Sequence, residues 1–269
     1  MKNKLIAILI LILIISNLFG QKVQMSLENC DEIMRDNFGN FYTLDNTVGS
    51  VKKFSSTFKL LNKFNSNSGN QSLFISAKDL NIVNPNVIYL LDEQDMKIIE
   101  FDEYLNFIQV IDLPEEFTFP TKFIVLSNRD WLIYDEFQKE IYRVKPGENI
   151  SQIWGDERVK HFINEKVKMY YYNNFVYLFV EKENILLIIN NSGMEKKELQ
   201  MSKKYKMKRI LYGDFENVIF TDNRKIFEWK FAENRIDTIM SQKNVIYIFQ
   251  NENLIIDSDG NIYNYSNSK

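Results

Sequence analysis

A short apolar run that closes on an acidic residue recurs six times along the chain. The runs are Phe41–Asp45, Ile88–Asp92, Trp131–Asp135, Tyr177–Glu181, Val218–Asp222 and Leu254–Asp257, with successive acids spaced at 47, 43, 46, 41 and 35. Each acid is followed after four to six residues by two apolar residues three apart: Val51/Phe54, Ile98/Phe101, Ile141/Val144, Ile185/Ile188, Ile226/Trp229 and Ile262/Tyr265. The residues between are polar and turn-forming, as in Asp45-Asn46 and Asp222-Asn223-Arg224. Strand, tight polar turn and strand is the pattern of a hairpin. A third apolar element precedes each hairpin: Ile33-Met34, Leu80–Val83, Phe123–Leu126, Val167–Tyr172, Ile210–Tyr212 and Val245–Phe249. A fourth follows the first five: Leu60–Phe64, Phe107–Ile111, Ile150–Trp154, Lys197–Met201 and Ile236–Met240.

Four strands per unit, repeated about every 40–50 residues, predict an all-β propeller. Six four-stranded blades are expected. Seven is the alternative if residues 65–77 or 155–166 hide strands. The sixth unit lacks a fourth strand, whereas Lys22–Glu28 alternates polar and apolar residues and has no place in the first unit. That segment is expected to pair as the outer strand of the last blade and close the ring, which protects the sheet edges. Asp156–Glu165 is the best helical candidate, a short insertion between blades three and four.

The second unit, Asn84–Asp92 through Lys97–Asp102, resembles an NHL/YVTN-type propeller blade. The chain from residue 21 onward also looks like uncharacterised secreted propellers of Bacteroidota-type bacteria. The resemblance implies a repeat architecture and carries no catalytic or binding residue with it. The Gly-His and Trp-Asp pairs of WD40 blades and the double glycines of kelch blades are absent.

The N-terminus reads as a signal peptide over residues 1–20, followed by a single propeller domain over 21–269. Lys2 and Lys4 precede an apolar run from Leu5 to Ile15, and Gly20 stands at the expected cleavage point. The run is nearer the ~7–15 residues of a signal than the ~20 of a membrane span, so no stable span is expected once it is cut. Leu18 fits the small-residue cleavage rule poorly, which leaves an uncleaved anchor open. The expected location is periplasmic, outer-membrane-associated or extracellular. Loss of Lys2 and Lys4 from the 33 basic residues leaves 31 against 36 acidic ones. That balance argues against a nucleic-acid partner. The one basic cluster, Lys203, Lys204, Lys206, Lys208 and Arg209, reads as a solvated strand edge. Cys30 is the only cysteine, so no internal disulfide can form and the fold must stand on packing.

Candidate chemistry is sparse. His161 is the sole histidine, far in sequence from Cys30, and a Cys–His nucleophile is not expected. Asp257-Ser258-Asp259-Gly260-Asn261 resembles the start of a calcium loop, but its glycine is misplaced and Ser268 stands where a bidentate acid is needed. No metal or cofactor is expected. The six repeated acids read as turn acceptors of backbone N–H groups. Tyr170, Tyr171 and Tyr172 cannot form one stacking platform, because alternate strand residues face opposite sides. Trp131, Trp154 and Trp229 read as packing between blades. Arg129, Asp130 and Trp131 are the candidate binding residues.

These features lead to the expectation of a non-enzymatic, monomeric envelope or extracellular module, holding an envelope protein or an extracellular peptide or glycan. Its binding loops would be the long connections 65–77, 112–121 and 155–166. The alternative is a propeller hydrolase or lyase with a carboxylate/Arg site in the central channel.

Overall fold

The computed structural model describes residues 32–36, 38–66, 73–74, 76–83, 87–146, 151–163, 167–222, 224–240, 245–249, 254–257 and 262–264. The first sheet contains β1 (Glu32–Arg35), β2 (Phe41–Asp45), β3 (Ser50–Phe54) and β4 (Leu60–Asn65). The second contains β5 (Ala77–Val83), β6 (Val87–Asp92), β7 (Lys97–Phe101) and β8 (Phe107–Asp112). The third contains β9 (Pro120–Val125), β10 (Trp131–Asp135), β11 (Glu140–Val144) and β12 (Ser151–Ile153), after which comes helix α1 (Glu157–Ile163). The fourth contains β13 (Val167–Tyr172), β14 (Phe175–Val180), β15 (Ile185–Asn190) and β16 (Glu195–Gln200). The fifth contains β17 (Arg209–Gly213), β18 (Asn217–Thr221), β19 (Ile226–Lys230) and β20 (Arg235–Met240). A three-stranded sheet of β21 (Val245–Phe249), β22 (Leu254–Asp257) and β23 (Ile262–Asn264) follows. All pairings are antiparallel between chain neighbours.

The strands stand where the repeat sets them, and the arrangement is an all-β propeller. The count of six four-stranded blades, or of seven, is corrected. The described residues form five four-stranded blades, and the remaining sheet has three strands. The repeat counts hairpins, and a hairpin does not guarantee a fourth strand. Residues 157–163 are helical, and between Asn65 and Ala77 the described residues add no strand, so neither stretch supplies a further blade. The signal peptide, the closing strand at 22–28, Cys30 and residues 258–261 lie outside the described residues. Among the described residues no helix is long and apolar enough to cross a membrane.

Period-two alternation builds the cores between blades. On β14, Val176, Leu178 and Val180 face blade three and join Leu132, Tyr134 and Trp154. Tyr177 and Phe179 on the same strand face blade five and join Phe220, Phe227 and Trp229. Trp131 belongs to the core between blades two and three. Second strands are thus covered on both faces, and β2 and β10 are buried along their whole length. Outer strands such as β8 are largely exposed. At about 25 cal/mol per Å² of apolar area, such cores supply most of the stabilisation in a chain with no internal disulfide.

Four of the repeated acids, Asp45, Asp92, Asp135 and Asp222, act as turn acceptors. Asp45 Oδ1 accepts the N–H groups of Thr47 and Val48, and Asp222 Oδ1 those of Arg224 and Lys225. Asp135 accepts four, from Thr118, Phe119, Phe137 and Gln138. Each satisfies backbone donors that the turn would otherwise leave unpaired.

Candidate functional site

The first strand of each sheet lines the ring. β1 contacts β5, β5 contacts β9, and so on through β13, β17 and β21, which returns to β1. Four of these strands carry a charged side chain at one equivalent register. Glu32 pairs with Leu44, Asp79 with Leu91, Lys122 with Tyr134 and Arg209 with Thr221, in each case the residue before a repeated acid. Two carboxylates and two cations therefore converge at one level.

They are joined in a chain of contacts. Arg209 Nη2 donates to Glu32 Oε2 at 2.5 Å. Lys122 Nζ stands 3.7 Å from Glu32 Oε1 and donates to Asp79 Oδ1 at 2.8 Å. Asp79 Oδ2 accepts the Phe123 N–H at 2.9 Å. The Asp79 side chain is almost wholly enclosed, whereas those of Glu32, Lys122 and Arg209 keep about a quarter of their surface open.

The environment separates the two carboxyl groups. For Glu32, burial pushes upward, but the charges of Arg209 and Lys122 and their hydrogen bonds outweigh it, and the net direction is down. For Asp79, burial again pushes upward, Lys122 offsets it only in part, Glu32 adds to it, and the net direction is up. Burial would lower Lys122, but Asp79 and Glu32 raise it above its ordinary value, so the ammonium stays charged. Tyr170 is raised, mainly by burial, with Arg209 and Lys122 opposing, and so stays a neutral phenol.

A cavity of about 250 Å³ opens on the side where the inner strands end, and another of about 290 Å³ where they begin. Glu32, Lys122, Tyr170 and Arg209 border both. The charged layer thus separates two chambers and is reachable from each.

Sequence reading missed Glu32, Asp79 and Lys122, and took Arg209 for a solvated residue. The signal was present: a charge directly precedes the buried residue of each of these strands, as in Glu32-Ile33, Asp79-Leu80, Lys122-Phe123 and Arg209-Ile210. Tyr171 joins one inter-blade core while Tyr170 and Tyr172 join the next, as alternation requires. Arg129 is exposed on the β9–β10 turn with a φ of 70°. Asp130 is held by Arg143, whose Nε donates at 2.6 Å. Trp131 is closed in the core against Tyr89 and Phe123. These three residues sit beyond the end of β9, and Lys122 lies near its start. His161 is on α1, against β11, and borders a separate surface pocket with Trp154 and Glu140. Among the described residues no group of three or more His, Cys, Asp or Glu side chains is placed to hold a metal ion.

No family model matches the chain, and no curated protein matches it in sequence. Solved structures do match. A streptogramin B lyase shares 12% identity at a TM-score of 0.58, over 92% of this chain and 86% of that one. A catalytically inactive histidine-to-alanine variant of virginiamycin B lyase from Staphylococcus aureus, with quinupristin, shares 13% at a TM-score of 0.60, over 86% and 78%. A protein of unknown function from Bacteroides thetaiotaomicron shares 10% at a TM-score of 0.58, over 89% and 63%.

At these identities the likeness establishes the fold alone: this is a β-propeller, a fold shared with lyases and with a bacterial protein of unknown function. It does not single out the NHL/YVTN type. It does overturn the expectation of a non-enzymatic scaffold with loops as its working parts. Catalytic lyases are built on this fold, and a set of joined charged groups lies in the channel. The alternative, a propeller hydrolase or lyase with a carboxylate/Arg site in the central channel, accords better with these findings.

Proposed function

We propose that the chain is a lyase whose reaction centre is the charged layer of the channel, a carboxylate–guanidinium site. The observation that carries this reading is the meeting of Glu32, Lys122 and Arg209, with Tyr170, at a level bordered by cavities on both sides. The presence of catalytic lyases among the structures of this fold supports it.

Glu32 is the base. It stays ionised, borders both cavities, and has a more open side chain than Asp79. It takes a proton from a carbon next to a carbonyl group. The negative charge that develops on the carbonyl oxygen is held by Lys122 and Arg209, preorganised donors in a site of low dielectric. The electron pair then forms the carbon–carbon double bond as the bond from the neighbouring carbon to the leaving oxygen breaks. Tyr170 gives that oxygen its proton, and the proton on Glu32 returns to the phenolate through solvent. Asp79 positions Lys122 and does not touch the substrate. In this reading the export signal in residues 1–20 directs the enzyme out of the cytoplasm.

The test is product analysis with quinupristin and a panel of esters and uronate glycosides that carry an acidic C–H next to the leaving oxygen's carbon. Elimination conserves mass, whereas hydrolysis adds one water. The expected result is mass-conserving product from the wild type and a loss of about 10²–10⁴-fold in Glu32→Gln. Products that carry an added water, or undiminished turnover in Glu32→Gln, would sink the proposal.

A further inference from the structure

The two chambers differ in character. The chamber at the strand ends is walled largely by apolar groups, among them Met34, Ile82, Val125, Tyr172 and Leu211. The chamber at the strand starts adds Lys168, Lys208 and Glu136 to the charged layer, beside Thr121, Val167 and Met169, and opens more widely to solvent. Charges in and around the layer cancel: Arg209 is matched by Glu32, Lys122 by Asp79, and Lys168 by Glu181. An anionic ligand placed on Lys122 and Arg209 would have to displace a carboxylate already in contact with them. A neutral carbonyl oxygen would only add a hydrogen bond to donors that carry more than one N–H. On the apolar side, a dry chamber of about 150 Å³ is enough for a benzene ring. The chamber of about 250 Å³ therefore holds a ring with a few further atoms.

We infer that the substrate is amphipathic and enters in one orientation: an aromatic or branched apolar group in the strand-end chamber, a neutral carbonyl on the Lys122–Arg209 pair, and the leaving group toward the polar strand-start mouth. This rests on the lyase reading for its chemistry, but its geometry is tested by binding alone. The orientation also accounts for the position of Tyr170, which borders both chambers and so meets the bond that crosses between them.

The experiment is calorimetric titration of the purified chain with acetamide, phenylacetamide and phenylacetate at fixed ionic strength. Phenylacetamide is expected to bind about thirtyfold more tightly than acetamide, from burial of one ring. Phenylacetate is expected to bind no better than phenylacetamide, because the layer has no spare positive charge. Val125→Phe and Ile82→Phe, which fill the apolar chamber, are expected to abolish the advantage of the ring. No gain from the ring, or a gain that survives both filling variants, would overturn the orientation. Phenylacetate binding tenfold or more above phenylacetamide would overturn the neutral-carbonyl assignment. Binding as expected without turnover on any ester would leave this inference standing and remove the lyase reading. Turnover without ring-dependent binding would do the reverse.

Discussion

Replacing Lys122 with Met removes the cation that joins the two carboxylates of the channel. At 2.8 Å from Asp79, the direct attraction is about 6 kcal/mol at an effective dielectric of ~20. Most of that is offset in the native protein by the cost of taking both charges out of water. What the variant exposes is different: Asp79, with 2% of its side chain accessible, keeps a charge with no cation beside it. Losing one partner of such a pair costs about 3–5 kcal/mol. The lower end applies, because the N–H groups of Phe123 and Leu80 still donate to the carboxylate. The penalty also depends on pH, and its sign is fixed. Asp79 already titrates above its ordinary range, and without Lys122 it rises further. Between the unfolded and folded values the native state binds a proton that the unfolded chain does not. Stability is therefore lost as pH rises through that window and regained as pH falls, by up to about 1.4 kcal/mol per pH unit. Urea unfolding followed by the fluorescence of the buried Trp131, Trp154 and Trp229 measures this. Lys122→Met should lose about 3 kcal/mol at neutral pH and markedly less in mild acid, and adding Asp79→Asn should recover most of the loss. A loss under about 1 kcal/mol, or an equal loss at both pH values with no recovery in the double variant, would refute the reasoning.

Other perturbations separate the turn acids from the channel charges. Asp135→Ala strands four backbone donors and should cost about 2–4 kcal/mol by urea unfolding; Asp222→Ala, with two donors in a more open turn, should cost less. Burial pushes Asp102 upward, but the Asn106 side chain and the N–H groups of Asn106 and Tyr104 together outweigh it and hold the group below its ordinary value. Its contribution to stability is therefore present above the unfolded value and lost as pH falls through the folded one. Asn106→Ala should move its titration, followed by carboxyl NMR, back toward the ordinary range. Gly193 has a φ of +86°, and an added Cβ would meet the backbone nitrogen of Gly155 at 2.9 Å, so Gly193→Ala should lower stability by about 1–3 kcal/mol.

Strand positions were legible because each blade buries alternate residues in two successive cores, and that demand writes period two into the sequence. The terminal acids were legible for a local reason: their partners are the next two or three backbone N–H groups. The number of four-stranded blades was not, because a hairpin signal does not say whether a further strand will pair beside it. The channel site was hidden for a different reason. Glu32, Asp79, Lys122 and Arg209 are separated by between 43 and 87 residues and come together only when the blades are laid in register. Each alone looks like a solvated residue beside a strand. Arg209 in particular was masked by its neighbours Lys203, Lys204, Lys206 and Lys208, which are exposed in the connection between β16 and β17 rather than on a strand edge.

Whether the charged layer is a reaction centre is tested most directly with an extract of the cells that make the protein and of their medium. The extract is incubated with wild type or with Glu32→Gln and compared by untargeted mass spectrometry. Fragments whose masses add up to a vanished parent, formed by the wild type and absent with Glu32→Gln, are the predicted result. An unchanged extract, products that carry an added water, or the same fragments from both proteins would contradict it.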